Sequence, residues 1–423
     1  MTGTEPDQTP PSGGPQPEGR PAQEGAAALY GPRFRQDPAQ VYRELRRVHG
    51  PVAPIELDGG VPAWLVLGYR ELRHVLGNSQ LFGRDSRRWN AWDAVPPDWP
   101  LMPAVAYQPS VLFAEGAEHQ RHAGAISEAL AAVDQFELSR QCELIADELI
   151  DRFAGTGEVD LVARYAHPMP VLAVAKMFGL ADSEALDLLR NSTAVGAEML
   201  EALQRTNVIL QRLLDAKRER PGPDVTSRLL AHPAAFTDEE LLQDLIVVTY
   251  AAQQPTTDWI GNTLRLMLTD DRFAVSLAGG RRSVGQALNE VLWEDTPTQN
   301  HIGRWAIQDT RLGGQHIAAG DLLVLGLAAA NNDPQVRPDS HAGPAGNQAQ
   351  LSFSHGEYQC PYPAPELAEV IAKAAVEVLL DRLPDVRLAV PAEALQWREY
   401  VHARGLTALP VKFTPAYVTG RPG

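Results

Sequence analysis

Residues 351–370 read LSFSHGEYQCPYPAPELAEV, a glycine-containing turn followed by a proline-rich step into an amphipathic run. Cys360, one of only two cysteines among 423 residues, lies in this turn directly before the run. A helix beginning near Pro363 would direct backbone N–H groups and the positive end of its dipole towards the sulfur, which favours a thiolate. A thiolate is a soft metal ligand and a strong nucleophile, and a nucleophile would need a histidine base, for which His355 is the near candidate.

The composition limits which classes of protein and which cellular compartment we expect. The other cysteine, Cys142, lies in the helical pattern RQCELIADELI, and the chain has no C-x-x-C pair, so a disulfide scaffold and a zinc ribbon are excluded. We expect a reducing, cytoplasmic location. The net charge of −16 argues against nucleic acid and anionic membranes as partners. No secretion signal and no apolar run near the ~20 residues of a membrane helix is present, so a soluble protein is expected.

The patterning along the chain predicts one large domain that is mainly α with small β-sheets. Residues 1–25 are rich in glycine and proline and lack aromatic residues, which indicates a disordered tail. Residues 26–423 show neither an internal repeat nor a second composition class, so we assign them to a single domain. Helical spacing dominates from residue 115 to about 300, with the longest helix predicted over residues 238–270. A hairpin is predicted around Asp58-Gly59-Gly60.

A proline-rich stretch over residues 86–110 contains Trp89, Trp92 and Trp99, three of the eight tryptophans. A loop of this length in a compact domain is usually a lid or a binding segment. The alternative is that the indoles anchor the loop to the core. The sequence leaves both interpretations open.

The segment FSHGEYQC resembles the cysteine-ligand loop of the cytochrome P450 family, whose pattern is F-G-x-G-x-H-x-C. Phe353, Gly356 and Cys360 match at the right spacing, whereas Ser354 stands at the second position and Tyr358 at the histidine. The resemblance extends in order over residues 26 to about 418. It implies the cytochrome P450 fold and haem b as cofactor, with Cys360 as the axial thiolate ligand of the iron and the matched loop positions around it.

The segment EVLWEDTPTQNHIGRWA, residues 290–306, resembles the family's K-helix and following strand, E-x-x-R…P…R-x-A. The residues in register are Glu290, Pro297, Arg304 and Ala306. Trp293 stands where the family has the arginine that pairs with the glutamate, which resembles an actinobacterial subgroup with tryptophan at this position. Indole has one N–H donor and no charge, so Glu290 needs backbone N–H groups or another cation, for which Arg337 is a candidate.

The resemblance also implies which residues meet the carboxylates of haem. His119 and Arg304 match such positions, and Arg121 fits the first arginine of the helix motif in EHQRHAGAISEAL. The next position of that motif is usually arginine but is Ala123 here. A separate interpretation, in which His119 and His122 at i, i+3 bind a metal ion, lacks a third ligand in the sequence.

The predicted long helix resembles the family's oxygen-activating helix, A-G-x-[D/E]-T-T. Aligning on the downstream IGN places the pattern on Ala251, Ala252, Gln253, Gln254, Pro255 and Thr256. The acid then becomes Gln254 and the usual threonine becomes Pro255, while aligning on the two threonines puts Pro255 at the acid position. Proline also removes an N–H and crowds the carbonyl of Ala251. Both alignments predict a catalytic segment without its acid.

The resemblance implies a monooxygenase that oxidises a small organic molecule with O₂ and electrons from a ferredoxin and its reductase. We expect a monomer. Glu366 and Glu369 lie where the family often has arginine, so the face near Cys360 would repel an acidic ferredoxin. The missing acid motivates an alternative, a haem-binding protein with little catalysis that serves as partner or scaffold for another enzyme. A third interpretation, a haem-free activator of a glycosyltransferase, is disfavoured by the retained Cys360 and Arg304.

Overall fold

Helices form most of the chain, as the 3- and 4-residue spacing of its apolar side chains predicts. The computed structural model describes residues 26–193, 198–270, 273, 282–337 and 347–416. The helices within these ranges are α1 Gly31–Gln36, α2 Pro38–His49, α3 Tyr69–Gly77, α4 Met102–Val105, α5 Gly116–Ala131, α6 Gln135–Asp151, α7 Pro168–Phe178, α8 Asp182–Asn191, α9 Glu198–Glu219, α10 Val225–Leu230, α11 Asp238–Thr269, α12 Arg282–Glu294, α13 Leu327–Asn331 and α14 Ala364–Arg382. The predicted tail, residues 1–25, lies outside the described residues.

The long helix α11 is the centre of the helical part of the molecule. It begins at a capping box, in which the Thr237 hydroxyl accepts from the backbone N of Glu240 and the Glu240 carboxylate accepts from the backbone N of Thr237. Its buried residues lie on most of its sides, and it packs against α7, α9, α12 and α14. A helix covered in this way has little solvent-facing surface, which explains its weak amphipathic pattern.

Short strands form a separate β region beside the helices. The strands are β1 Ala27–Ala28, β2 Val52–Leu57, β3 Val61–Val66, β4 Phe82–Gly83, β5 Glu158–Asp160, β6 His301–Ala306, β7 Thr310–Leu312, β8 Gln315–Ile317, β9 Leu322–Leu325, β10 Arg387–Leu388 and β11 Pro410–Lys412. The largest sheet has the order β1-β2-β3-β9-β6-β4, the second has β10-β11-β5, and β7 pairs with β8. The predicted hairpin is β2–β3, in register from Val52 opposite Val66 to Leu57 opposite Val61.

The tryptophan-rich loop is anchored to the apolar core of the sheet region. Trp89 and Trp99 are buried there, and Trp92 is half-buried. The ring of Trp89 contacts those of Trp92, Trp99 and Trp305, with centroids 5.1, 5.9 and 6.5 Å away. The indole N–H of Trp99 donates to the Asp58 carbonyl at 2.6 Å. Of the two interpretations of this loop, its contacts favour the anchor.

The last long helix follows the cysteine-containing turn directly. Pro363 is the N-cap residue of α14, which begins at Ala364 as the sequence predicts. The helix packs on α6 and α11, so the turn before it lies at the junction of the helical core and the sheet region. Among the described residues, no helix has the length and apolar character needed to span a membrane.

Candidate active site

The cysteine loop, residues 351–363, is closed by its own backbone hydrogen bonds. The N–H of Cys360 donates to the carbonyl of Phe353 at 3.0 Å, and the N–H of Gln359 donates to the carbonyl of Gly356 at 3.1 Å. The ring of Phe353 packs edge-on against Trp259 of α11 at 5.8 Å. The loop therefore presents Cys360, which is half-buried, at a fixed position relative to α11.

Two residues of the cysteine loop have left-handed backbone conformations. Gly356 has a φ of 76°, and a Cβ there would lie 2.4 Å from the carbonyl oxygen of Leu76, so this turn requires glycine. Ser354 also has a positive φ, of 68°, although it carries a Cβ. Its hydroxyl is buried without a partner among the described residues. Ser354 therefore strains the position at which the family pattern has glycine.

The glutamate of the K-helix pattern pairs with a new cation. Arg337 Nη2 lies 2.5 Å from Glu290 Oε1 and 3.5 Å from Glu294 Oε1, and its guanidinium carbon is 5.8 Å from the centre of the Trp293 ring. Trp293 is buried, and its indole N–H donates to the carbonyl of Asn347 at 3.1 Å. Burial and the neighbouring Glu290 raise the pKa of Glu294 to about 8. We call Glu290, Glu294 and Arg337 the α12 clamp.

The end of α12 also holds the cysteine loop through one backbone carbonyl. The oxygen of Leu292 accepts from the side chains of Thr296, Asn331 and Ser352 at 2.8, 2.9 and 2.7 Å. Asn331 in turn accepts from the N–H of Leu351 at 2.8 Å. The sequence pattern singled out neither Asn331 nor Ser352, since their role depends on a carbonyl that is distant in the chain.

Arg84, His119, Arg304 and Tyr358 form a group that we call the cationic cage. The guanidinium carbons of Arg84 and Arg304 lie 4.9 and 4.7 Å from the centre of the Tyr358 ring. The His119 ring meets Tyr358 edge-on at 4.8 Å. The structure thus brings together three residues that the resemblance assigned to haem and adds Arg84, which sequence reasoning missed.

The cationic cage has buried donors that lack acceptors. Arg304 Nε and Nη2, Arg84 Nε and His119 Nδ1 make no hydrogen bond to the described residues. Burial, followed by the charge of Arg84, lowers the pKa of Arg304 well below its ordinary value. Burial and the two guanidinium groups lower the pKa of His119 to about 4. Because buried N–H groups and like charges are costly without a partner, this geometry fits an anionic ligand.

Arg121 and His122 lie in a different network. Arg121 pairs with Glu118 at 2.7 Å and with Glu240 of α11, so its guanidinium is committed to carboxylates outside the cationic cage. His122 Nδ1 lies 2.5 Å from Asp244 Oδ2. Within the part of the chain that the structure describes, the group that could hold a metal is Glu118, His122 and Glu240, without His119. Arg121 already pairs with both of its glutamates. The structure therefore does not bring His119 and His122 together as metal ligands.

The candidate oxygen-activating segment runs through α11 as continuous helix, with Pro255 inside it. Ala251 is exposed, Ala252, Gln254 and Pro255 are half-buried, and Gln253 and Thr256 are buried. Gln254 Nε2 donates to Asp258 Oδ1 at 3.1 Å, and Arg398 pairs with the same carboxylate. Sequence reasoning missed Asp258, although its i, i+4 spacing from Gln254 puts the two on one helix face.

Comparisons with known proteins identify the family. No family model matches the chain. Mycinamicin IV hydroxylase/epoxidase of Micromonospora griseorubida is 30% identical over 385 residues, which cover 88% of this chain and 94% of that protein. The chain belongs to the cytochrome P450 family. Cytochrome P450 107B1 of Saccharopolyspora erythraea is 28% identical over 90% of this chain and 96% of its own length. The structure of CYP154C4 from Streptomyces matches with a TM-score of 0.80 and 27% identity, covering 92% and 97% of the two chains.

Family membership makes this P450 an oxidoreductase of the monooxygenase class with haem as its cofactor. P450s bind haem through a cysteine thiolate that is axial to the iron. The residues here fit that group, because two haem carboxylates would supply the acceptors and negative charge that the cationic cage lacks. Burial raises the pKa of the Cys360 thiol to about 12. The helix end alone therefore does not ionise Cys360, whereas a coordinated metal deprotonates a thiol outright.

The α12 clamp predicts that restoring the family residue at position 293 is harmful. We expect Trp293→Arg to lower the free energy of unfolding by about 1–3 kcal/mol, because a guanidinium would enter a buried aromatic site beside Arg337. Urea unfolding of the haem-bound protein measures this. Trp293→Phe is the control, since it keeps an aromatic ring and adds no charge, while it loses the bond to Asn347 and part of the buried volume. A Trp293→Arg variant as stable as the parent, with Glu290 paired to the new arginine, would contradict this account.

The backbone conformation of the cysteine loop predicts that Ser354→Gly increases the stability of the protein. Removing the Cβ relieves a left-handed conformation worth about 1–2 kcal/mol, against about 0.5–1 kcal/mol of glycine entropy. We therefore expect a net stabilisation of up to about 1.5 kcal/mol in thermal or urea unfolding. Ser354→Ala removes the unpartnered hydroxyl but keeps the Cβ and the strain. If alanine stabilises as much as glycine, the hydroxyl and not the backbone is the cause.

Proposed function

We propose that this P450 is a haem-thiolate monooxygenase of a small organic molecule, with Cys360 as the iron ligand. The observation that supports this most directly is the cysteine loop, which fixes Cys360 beside the cationic cage. When bound, haem supplies the chemistry of O₂ activation and oxygen insertion. The Cys360 sulfur would bind the haem iron, and the donors of the cationic cage would hold the two haem carboxylates.

We propose separate roles for three sets of residues that would surround the haem. Tyr358, between Arg84 and Arg304, spaces the two guanidiniums and lies two residues before Cys360. Phe353 packs the cysteine loop against α11 through Trp259. Ala251 is exposed and Ala252 half-buried, and their methyl side chains would leave room for O₂ and substrate beside α11.

We propose a ferredoxin, reduced by its reductase, as the electron donor. A small surface pocket of about 180 Å³ opens beside Cys360 and is lined in part by Tyr362 and Glu366. Tyr362 is 63% exposed and is a natural contact for a partner. The carboxylate of Glu366 also raises the pKa of Cys360, so negative charge at this face acts on the ligand as well as on an acidic donor.

Proton supply is the step at which this chain departs most from its family pattern. Gln254 is a neutral amide, and its N–H₂ group already donates to Asp258. Asp258 is buried and paired with Arg398, so its carboxylate orients Gln254 and is not placed at the family's acid position. Pro255 has no side-chain donor. Protons must then come from water, from Thr256 or from a hydroxyl on the substrate.

The ligand assignment predicts a spectroscopic signature. We expect the purified protein to bind one haem b, and its reduced carbon monoxide complex to show the strongly red-shifted band of a thiolate ligand. Cys360→Ser should lose that band, because an alkoxide or water does not donate charge as sulfur does. Cys142→Ser is the control, since Cys142 is buried in α6. A Cys360→Ser protein with an unchanged spectrum would show that another residue is the ligand.

The missing acid predicts poor coupling of electron consumption to product. General acid assistance typically contributes about 10²–10⁴-fold, so we expect under about a tenth of the reducing equivalents to appear in product, with hydrogen peroxide as the main outlet. The measurement compares reducing equivalents, product and peroxide in the parent and in Gln254→Glu with Pro255→Thr. Asp258→Asn is added to that variant, because two carboxylates at i, i+4 repel each other.

Two outcomes of the coupling experiment bear on the function itself. Tight coupling in the parent, on a substrate without hydroxyl groups, would mean that another proton path exists. The same departures at Gln254 and Pro255 motivate the second candidate function, a haem-binding partner of another enzyme. That candidate is favoured if the haem-bound parent consumes no reducing equivalents while the altered variant does.

A further inference from the structure

We propose that Arg84 is a haem-carboxylate ligand that replaces the arginine missing at position 123 of α5. This inference rests on the proposed function, because it assumes haem beside Cys360. It concerns a residue outside every segment that the family pattern singles out. Arg84 follows strand β4, and its guanidinium reaches the cysteine loop and the cationic cage.

Helix α5 does not supply two cations to the cationic cage. Ala123 lies one turn after His119 on the same face and ends in a methyl group, so nothing at that position donates to an anion. Arg121 is turned to Glu118 and Glu240. Burial and the charges of Arg84 and Arg304 lower the pKa of His119 to about 4, so His119 is a weaker source of positive charge than a guanidinium. The positive charge opposite Arg304 must come from another element.

Arg84 supplies the positive charge opposite Arg304. Its Nη1 and Nη2 each donate one bond, to the carbonyls of Val111 and Tyr358, both at 3.1 Å. Among the described residues the remaining N–H groups donate to no acceptor, and Nε is buried. Burial lowers the pKa of Arg84 to about 10, so the group stays protonated at neutral pH.

Glu115, the carboxylate that meets the backbone at residue 84, is committed to other donors. Glu115 Oε1 accepts from the backbone N–H groups of Arg84 and Asp85 at 2.5 and 2.8 Å. Both of its oxygens also pair with Arg88, at 2.5 and 2.8 Å. Glu115 therefore orients the backbone at residue 84 without receiving a bond from the Arg84 side chain. The guanidinium is held in place by carbonyls and faces Tyr358, and it makes no ion pair with the described residues, although the charge of Glu357 acts on it from beyond ion-pair distance.

A purely structural role is the competing explanation, because Arg84 also ties the Tyr358 carbonyl to the loop at Val111. The two roles differ in whether they depend on the haem carboxylates. Haem dimethyl ester has the same iron and ring but no carboxylate charge. If Arg84 contacts the carboxylates, its substitution should speed the release of haem but not of the ester. If Arg84 is only a structural tie, its substitution should speed the release of both equally.

The experiment measures the rate of cofactor loss to excess apomyoglobin for haem and for haem dimethyl ester. We expect Arg84→Gln to release haem about 10–100-fold faster than the parent, since charge-assisted hydrogen bonds are worth about that factor. Release of the dimethyl ester should be unchanged. Arg87→Gln is the matched control, because Arg87 is three residues away, exposed and paired with Asp85, and it should change neither rate.

A rescue variant guards against a folding artefact. Adding Ala123→Arg to Arg84→Gln should restore slow release of haem, because it returns a guanidinium to the cage from α5. Equal acceleration of haem and ester release, or no acceleration of either, would overturn the proposal. The carbon monoxide spectrum of the parent separates this test from the proposed function. A thiolate band with Arg84-independent release refutes only the carboxylate contact, and no thiolate band in the parent refutes the ligand assignment.

Discussion

The cysteine loop has no regular secondary structure, so its position depends on polar contacts from the end of α12. The carbonyl of Leu292 accepts three side-chain hydrogen bonds, and two of the donors, Asn331 and Ser352, lie in or beside the segment that leads to Cys360. A backbone oxygen cannot be removed by substitution. This arrangement therefore persists although the K-helix arginine is absent, and it keeps the sulfur at a fixed place between α11 and α14.

The chain replaces lost charges with charges from other parts of the sequence. Arg337 pairs with Glu290 where the family has an arginine on α12 itself. Arg84 stands in the cationic cage where α5 has Ala123. Asp258 lies one turn beyond the amide that replaces the acid of α11. In the first two cases the charge comes from another part of the chain while the site that needs it stays in place, whereas Asp258 is paired with Arg398 and does not restore the acid.

The sequence could predict features that depend on local patterns, but not those that depend on contacts between distant residues. Helices, the β2–β3 hairpin and the start of α14 follow from local periodicity and turn residues, and Cys360 follows from a motif of fixed spacing. The partner of Glu290 was open between Arg337 and backbone groups, because a contact across 47 residues leaves no local pattern. Arg84 was missed for the same reason, whereas Asp258 is local to Gln254 at i, i+4 but lies beyond the six positions of the family pattern. The tryptophans of residues 86–110 had two interpretations, since burial is a tertiary property.

The total charge of the α12 clamp depends on pH, because it contains two carboxylates and one guanidinium. With Glu294 protonated, the three side chains sum to zero charge. The pKa of Glu294 is about 8 in the folded protein against an ordinary value of 4.5, so the unfolded chain releases this proton first. By linkage, the contribution of Glu294 to folding stability falls as pH rises from about 4.5 to about 8 and is constant above that range. The clamp therefore contributes most to folding stability when Glu294 holds its proton, and this contribution is lost at alkaline pH.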